Sequence, residues 1–220
     1  MTVDLFDNLL TADGEKAGAT CLAPGALLLH SFARNQAQAL LVDFEKVTAL
    51  APLRHLVTPG GHTMSVGMSN CGPLGWVSNR SGYRYTALDP LTSQPWPAMP
   101  VNWLALAQSA AADAGYPGFR PTACLINQYQ PGARLTLHQD RDEKDLTAPI
   151  VSVSLGLPAV FQFGSEIRSQ CTSRWRLAHG DVVVWGGKSR LAFHGVMPLA
   201  DGEHPLIGRR RINLTFRLAS

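Results

Sequence analysis

Residues 123–163 read ACLINQYQPGARLTLHQDRDEKDLTAPIVSVSLGLPAVFQF. Within them ACLINQYQ, LTLHQD, IVSVSL and AVFQF are short apolar and β-branched runs, separated by Pro, Gly and charged breaks. Runs of this length and composition between turn residues predict strands. DVVVW (181–185), RLAFHGV (190–196) and RINLTFRL (211–218) continue the pattern. Seven such runs in under 100 residues predict an antiparallel sandwich or barrel.

Upstream the period changes from two to that of a helix. From Asn35 to Ala51, residues Ala37, Leu40, Leu41, Phe44, Val47 and Leu50 form one apolar face. A second helix is predicted over Pro100–Ala114, with Pro100 near its first turn, the stripe Trp103, Leu106, Ala107, Ala110 and Ala114, and Gly115 as its stop. Both are expected to pack over a sheet. Between them, Thr58–Tyr85 holds six glycines interleaved with Met68, Trp76, Tyr83 and Tyr85. That stretch reads as loops and short hairpins with exposed aromatics, or as a cap whose aromatics fill a small core of their own.

At 220 residues the chain suits one domain with a sizeable core. With 45% hydrophobic and 16% charged residues it falls outside the disordered and fibrous classes. A net charge of +3 leans only mildly towards an anionic partner. Cys21, Cys71, Cys124 and Cys171 are widely spaced, which argues against a thiolate zinc site and a disulfide framework. The N-terminus, MTVDLFDN, is acidic where a signal peptide is basic, and Pro24 and Gly25 interrupt the apolar stretch that follows. No membrane span is expected, and the expected location is cytoplasmic.

The chemistry lies in His138-Gln139-Asp140. Strand side chains alternate, so His138 and Asp140 share a face and can grip one ion. A His and an Asp two apart occur by chance in about one chain in three of this composition, so the pair alone is weak. His194 strengthens it, being an imidazole inside the apolar run RLAFHGV, where a polar group needs a partner. A core histidine bonded to a carbonyl is the competing explanation. The five other histidines have no ligand-like spacing. Two imidazoles and one carboxylate leave half of an octahedral metal open, as in non-haem Fe(II) oxygenases.

In the C-terminal run, Arg211, Asn213, Thr215 and Arg217 share one face, and Ile212, Leu214, Phe216 and Leu218 the other. If the polar face looked outward, this would be a half-exposed strand. If it looked inward, its guanidinium forks could receive a dicarboxylate. The two possibilities predict opposite burial for Arg217. Arg209 shares parity with Arg211, so alternation excludes only Arg210 from that face.

With these residues in this order, the chain resembles the AlkB family of Fe(II)- and 2-oxoglutarate-dependent nucleic-acid demethylases. The likeness runs from about Val57 through TPGGHTMSVGMSNCGPLGW, DPLTSQPWPAMP, CLINQYQPGARLTLHQDRDE, APIVSVSLGLPAVFQFG, HGDVVVWGG and RINLTFR. It implies a mostly β fold with flanking helices (α+β): a double-stranded β-helix (jelly-roll) core with an N-terminal nucleotide-recognition lid. Residues 1–220 are then a single domain, with an N-terminal extension and packing helix (1–56), the lid (57–90), and a helix plus jelly-roll core (91–220).

The same resemblance implies that His138, Asp140 and His194 bind Fe(II), with 2-oxoglutarate and O2 as co-substrates. Arg217 would pair with the far carboxylate of 2-oxoglutarate, and Arg211, Asn213, Asn127 and Tyr129 would line its pocket. Trp76 and His138 would sandwich a flipped base with Asp142 near its exocyclic nitrogen, and Thr58, Met68, Tyr83 and Arg168 would help to hold the nucleotide. The implied reaction is oxidative demethylation of 1-methyladenine and 3-methylcytosine in DNA, single-stranded by preference, and in RNA, by a monomer. The family pattern is weakest over Ser165–Arg176. Two other readings retain part of the pattern: an oxygenase acting on a protein side chain or small metabolite, and a binding domain that uses no iron.

Overall fold

A computed structural model describes residues 18–220, so the acidic N-terminal octet lies outside the described residues. The chain forms strands β1 (Ala19–Ala23), β2 (Ala26–Leu29), β3 (Arg54–Val57), β4 (Thr63–Cys71), β5 (Gly75–Asn79), β6 (Gly82–Thr86), β7 (Ala123–Tyr129), β8 (Leu135–His138), β9 (Ile150–Gly156), β10 (Ala159–Phe163), β11 (Ser173–Leu177), β12 (Val182–Trp185), β13 (His194–Val196) and β14 (Arg211–Arg217). Helices α1 (Ala37–Leu50) and α2 (Val101–Asp113) lie where the apolar stripes predict them. Helix α2 ends as expected at Gly115, whose φ of +88° accompanies Gly115 N–H donating to Ala112 O and Tyr116 N–H to Ala111 O. That pair of bonds is the Schellman stop. Among the described residues no helix is long and apolar enough to cross a membrane.

An eight-stranded sheet in the order β1-β2-β12-β9-β14-β7-β4-β3 faces a four-stranded sheet in the order β11-β10-β13-β8. The large sheet is covered on both sides. Val151, Val153, Val182, Val184, Ile212, Leu214 and Phe216 pack towards α1 and α2 in one core cluster, with Trp103 meeting Phe216 edge-on at 6.4 Å. Ile150, Val183, Trp185, Leu125 and Tyr129 pack with Phe161, Phe163 and Leu177 of the small sheet in a second. Period-two alternation therefore sorts each strand between two apolar layers, each fully buried large side chain contributing about 1.5–3 kcal/mol.

Several boundaries differ from expectation. The N-terminal segment is no mere extension, because β2 pairs with β12 and β1 with β2 around a turn at Gly25. Nor is 57–90 wholly a lid, since β4 pairs with β7 and β3 with β4, leaving the β5–β6 hairpin as its separate part. Of RLAFHGV only the last three residues form a strand, because Arg190 is buried and its guanidinium bonds pull the chain into turns. β11 begins within the stretch of weakest family pattern and ends one residue beyond it.

Strand β13 lies against β8 with His194 opposite His138. Between them Gly195 permits the approach, because a Cβ there would sit 2.8 Å from Leu135 O and 3.2 Å from Leu137 N. Both are backbone atoms with little room to yield. Gly195→Ala is therefore expected to cost about 1–3 kcal/mol in chemical denaturation and to weaken metal binding in an equilibrium titration. Unchanged stability would show that the strand pair tolerates separation.

Candidate metal centre

The β8–β13 pairing brings the two imidazoles together, with ring centroids 4.4 Å apart, and Asp140 follows β8 by two residues. His138 Nδ1 lies 2.9 Å from Thr136 O and His194 Nδ1 2.9 Å from Ala192 O. A carbonyl only accepts, so each Nδ1 carries the hydrogen and each Nε2 presents a lone pair. These Nε2 atoms stand 3.7 and 3.8 Å from the Asp140 carboxylate oxygens, too far for hydrogen bonds. The three ligand atoms nevertheless lie within 4.8 Å of one another, a grouping that a divalent ion at their centre would complete. His194 is buried and the Asp140 side chain only 9% exposed, whereas the His138 side chain is 38% exposed, so the site has one open flank.

Arg217 fastens Asp140 from behind, its Nε and Nη2 donating to Oδ2 at 2.9 and 2.7 Å. Glu143 lies 3.5 Å from Arg217 Nε, accepts from Arg190 Nη2 at 3.0 Å, and accepts from the Tyr85 hydroxyl at 2.5 Å. Arg190 Nη1 also donates to Asp140 O at 2.6 Å. Burial would raise the Asp140 pKa, but Arg217, His194 and His138 outweigh it and hold the carboxyl well below its usual range. Burial foremost, then His138, lowers the His194 pKa to about 4, against the opposing pull of Asp140.

The polar face of β14 looks inward, with Arg211 only 1% and Arg217 5% exposed. That removes the half-exposed-strand alternative. Asn213 opposes Asn127, and Arg211 opposes Tyr129, whose ring lies 4.9 Å beneath the guanidinium. Asn213 Nδ2 donates to Ser152 Oγ at 2.7 Å and Val153 O at 2.9 Å, while Arg211 Nη2 donates to Ser154 Oγ at 3.0 Å. Arg211 Nε and Nη1 and Asn127 Oδ1 are buried with no partner among the described residues. Unpaired buried donors on a cation are costly, and a carboxylate is the group that would satisfy them.

The two arginines thus differ from expectation. Arg217, expected on the far carboxylate of a co-substrate, is committed to Asp140, whereas Arg211 at the other end of the strand has donors to spare. Of the triple arginine, Arg209 pairs with Asp201 at the surface, and Arg210 reaches Glu45 and Gln128 and lies over Phe44.

Around the open flank, Trp76 stacks on Tyr83 with centroids 5.4 Å apart, and its Nε1 donates to Asp142 Oδ2 at 2.7 Å. Among the described residues Trp76 makes no ring contact with His138. Arg168 lies over Phe193, the neighbour of His194, with its guanidinium 5.5 Å from the ring centroid. Thr58 Oγ1 accepts from His62 N–H at 3.1 Å, in a turn between β3 and β4. Met68 is buried in the inner core, because β4 pairs on both sides, so it belongs to the floor and not to an exposed lid. Glu143, Arg190 and Tyr85 were not among the expected site residues. Tyr85 stood out only as one of the aromatics of the glycine-rich stretch, and the trace of the other two was an acid three residues beyond Asp140 and an arginine opening an apolar run.

A family model described as the 2OG-Fe(II) oxygenase superfamily matches residues 25–217. The protein named Alpha-ketoglutarate-dependent dioxygenase AlkB of Escherichia coli is 59% identical over 198 residues, covering 90% of this chain and 92% of that one. A Schizosaccharomyces pombe protein named tRNA demethylase abh1 is 28% identical over 240 aligned positions, covering 89% of this chain and 79% of that one. A solved structure, that of OsALKBH1, superposes with a TM-score of 0.80 at 27% identity, covering 91% of this chain and 99% of that one.

The depressed His194 pKa has a defined sign. Folding holds the imidazole neutral, so its contribution to stability is full above about pH 6.5 and is lost as pH falls towards 4. His179, also lowered to about 4, titrates in the same window. Urea denaturation of the metal-stripped protein between these limits is expected to show stability falling with pH, and His194→Gln to make that slope shallower. Equal slopes would contradict the assignment.

Proposed function

The chain belongs to the AlkB branch of the 2OG-Fe(II) oxygenase superfamily, and from that membership we propose that it removes methyl groups from N-methylated bases in nucleic acid. It is an Fe(II)- and 2-oxoglutarate-dependent dioxygenase. Its substrates are 1-methyladenine and 3-methylcytosine in DNA, single-stranded by preference, and in RNA, and it acts as a monomer in the cytoplasm. The observation that carries the reading is an open-flanked His138, Asp140, His194 triad lying between an aromatic pair, Trp76 and Tyr83, and a buried arginine strand.

His138, Asp140 and His194 would hold Fe(II), and Arg211, with Asn127, Tyr129 and Asn213, would hold the far carboxylate of 2-oxoglutarate. When bound, Fe(II) with 2-oxoglutarate and O2 supplies the oxidising power that hydroxylates the N-methyl group, which leaves as formaldehyde while the co-substrate leaves as succinate and CO2. The chain's own groups do the rest. The two carbonyls on Nδ1 keep both imidazoles in the ligating tautomer, and Arg217 keeps Asp140 ionised and aimed.

Trp76 and Tyr83 offer a stacking surface beside the open flank, and Asp142 beside Trp76 attracts a base whose methylation makes it cationic. Stacking on an aromatic contributes about 1–3 kcal/mol, similar to the few kcal/mol that extrusion from a duplex costs. That balance favours single strands, where the base is already unpaired.

The direct test supplies Fe(II), 2-oxoglutarate and ascorbate with an oligonucleotide carrying one 1-methyladenine or 3-methylcytosine. Formaldehyde release and a mass loss equal to one CH2, the methyl group being replaced by hydrogen, are expected. A metal-loaded protein that repairs neither lesion in DNA or RNA would refute the reading. Trp76→Ala is expected to lower kcat/KM for the oligonucleotide by about tenfold or more, as loss of a stacked base implies, while leaving 2-oxoglutarate binding unchanged by calorimetry. Equal loss of both would point to a substrate that needs no aromatic platform.

A further inference from the structure

At the end of the strands opposite the metal ligands, His179 and His204 lie ring against ring, with centroids 4.4 Å apart, and together line one side of a cleft of about 250 Å³. Phe163 of β10 pairs with His194, whereas Ala159, four residues back, pairs with Leu177, two residues before His179. Four residues of strand span about 13 Å, so the cleft is separate from the metal chamber. Arg34, just before α1, and Arg176, on β11, are the charged residues of its lining.

Each imidazole is fixed by its inner nitrogen. His179 Nδ1 accepts from Gly156 N–H at 3.0 Å and His204 Nδ1 from Leu206 N–H at 3.3 Å. An accepting Nδ1 places the ring hydrogen on Nε2, and neither Nε2 has a partner among the described residues. Neither Arg34 nor Arg176 has a carboxylate partner among them. Of the nearby acids, Asp181 accepts from Ser31 N–H and Ala178 N–H, Asp201 is paired with Arg209, and Glu203 is exposed on the turn beside His204. Burial, then His204 and Arg34, push the His179 pKa down to about 4, which shows that the cleft disfavours further positive charge.

Two imidazole N–H donors and two guanidinium forks lining one cleft describe a host for a tetrahedral oxyanion. A metal is a poor fit, because each Nε2 carries the hydrogen a ligand must lack. We propose that this cleft binds a phosphoryl group, accepting donation from His179 and His204 Nε2–H and charge-assisted bonds from Arg34 and Arg176. The group can belong to a free phosphate compound or to the backbone of a nucleic acid held elsewhere on the protein.

The test follows the histidine ring resonances of the full chain at fixed pH and ionic strength as inorganic pyrophosphate is added. Saturable movement of the His179 and His204 signals is expected. The double variant Arg34→Gln/Arg176→Gln should bind pyrophosphate about tenfold more weakly or worse, with turnover of a methylated trinucleotide unchanged, since neither arginine belongs to the metal chamber. In a second arm a long unmethylated single strand replaces pyrophosphate and is compared with a trinucleotide. Movement with pyrophosphate alone upholds the site with a free phosphate as its ligand. Movement with the long strand but not the trinucleotide upholds it with a nucleic-acid backbone. No saturable movement with any probe, or equal affinity in wild type and double variant, overturns the proposal.

Discussion

The largely water-shielded ion pair between Asp140 and Arg217 is the interaction on which the candidate metal centre depends. Removing two charges from water is costly, and an isolated buried pair gives little net stability. Here the pair has a second use. Asp140 is the carboxylate that a metal would share, and Arg217 holds it through Nε and Nη2 on one oxygen. Glu143 then shares Arg217 and receives Arg190 and the Tyr85 hydroxyl. Deleting one partner of such a network costs about 3–5 kcal/mol, so the network fixes the geometry of the ligand more than it strengthens the fold. Tyr85 stands on the β5–β6 hairpin, so the aromatic flank and the metal ligand are joined through one carboxylate.

The large sheet makes this arrangement possible by keeping two kinds of chemistry on opposite faces. On β14 the helix-side residues Ile212, Leu214 and Phe216 supply apolar burial, while the inward face carries Arg211, Asn213, Thr215 and Arg217. Along that inward face the partners change in order. Arg217 is satisfied by Asp140, Asn213 by Ser152 and Val153, and Arg211 only in part by Ser154. The unsatisfied end would suit the carboxylate of an anionic co-substrate. A chamber whose last unmet donors match a carboxylate selects its ligand by the cost of leaving them unpaired.

Much of this was legible in the chain because period-two and helical alternation are local properties. The apolar faces of α1 and α2, most strands after Pro121, and the common face of His138 and Asp140 follow from spacing alone. Burial does not. The alternation of β14 reads the same whether its polar face meets water or the interior, and only the small sheet packed over that side decides it. Arg190 looked like part of a strand because its long-range bonds to Asp140 O and Ala148 O leave no mark in local pattern. The same holds for Met68, whose burial comes from partners on β3 and β7, and for His179 and His204, which are 25 positions apart in the chain and adjacent in space. That Arg217 bonds Asp140 while Arg211 keeps unpartnered donors is likewise a matter of which carboxylate lies in reach.

That division of labour is tested most directly by anaerobic titration of Fe(II) and then 2-oxoglutarate, following the visible absorption of the chelated metal in wild type, Arg211→Gln and Arg217→Gln. Arg211→Gln is expected to bind Fe(II) normally but to need far more 2-oxoglutarate to develop the band, whereas Arg217→Gln loses Fe(II) affinity by about 10–100-fold, as loss of a ligand's supporting partner implies. Normal Fe(II) affinity in Arg217→Gln together with normal 2-oxoglutarate affinity in Arg211→Gln would contradict it.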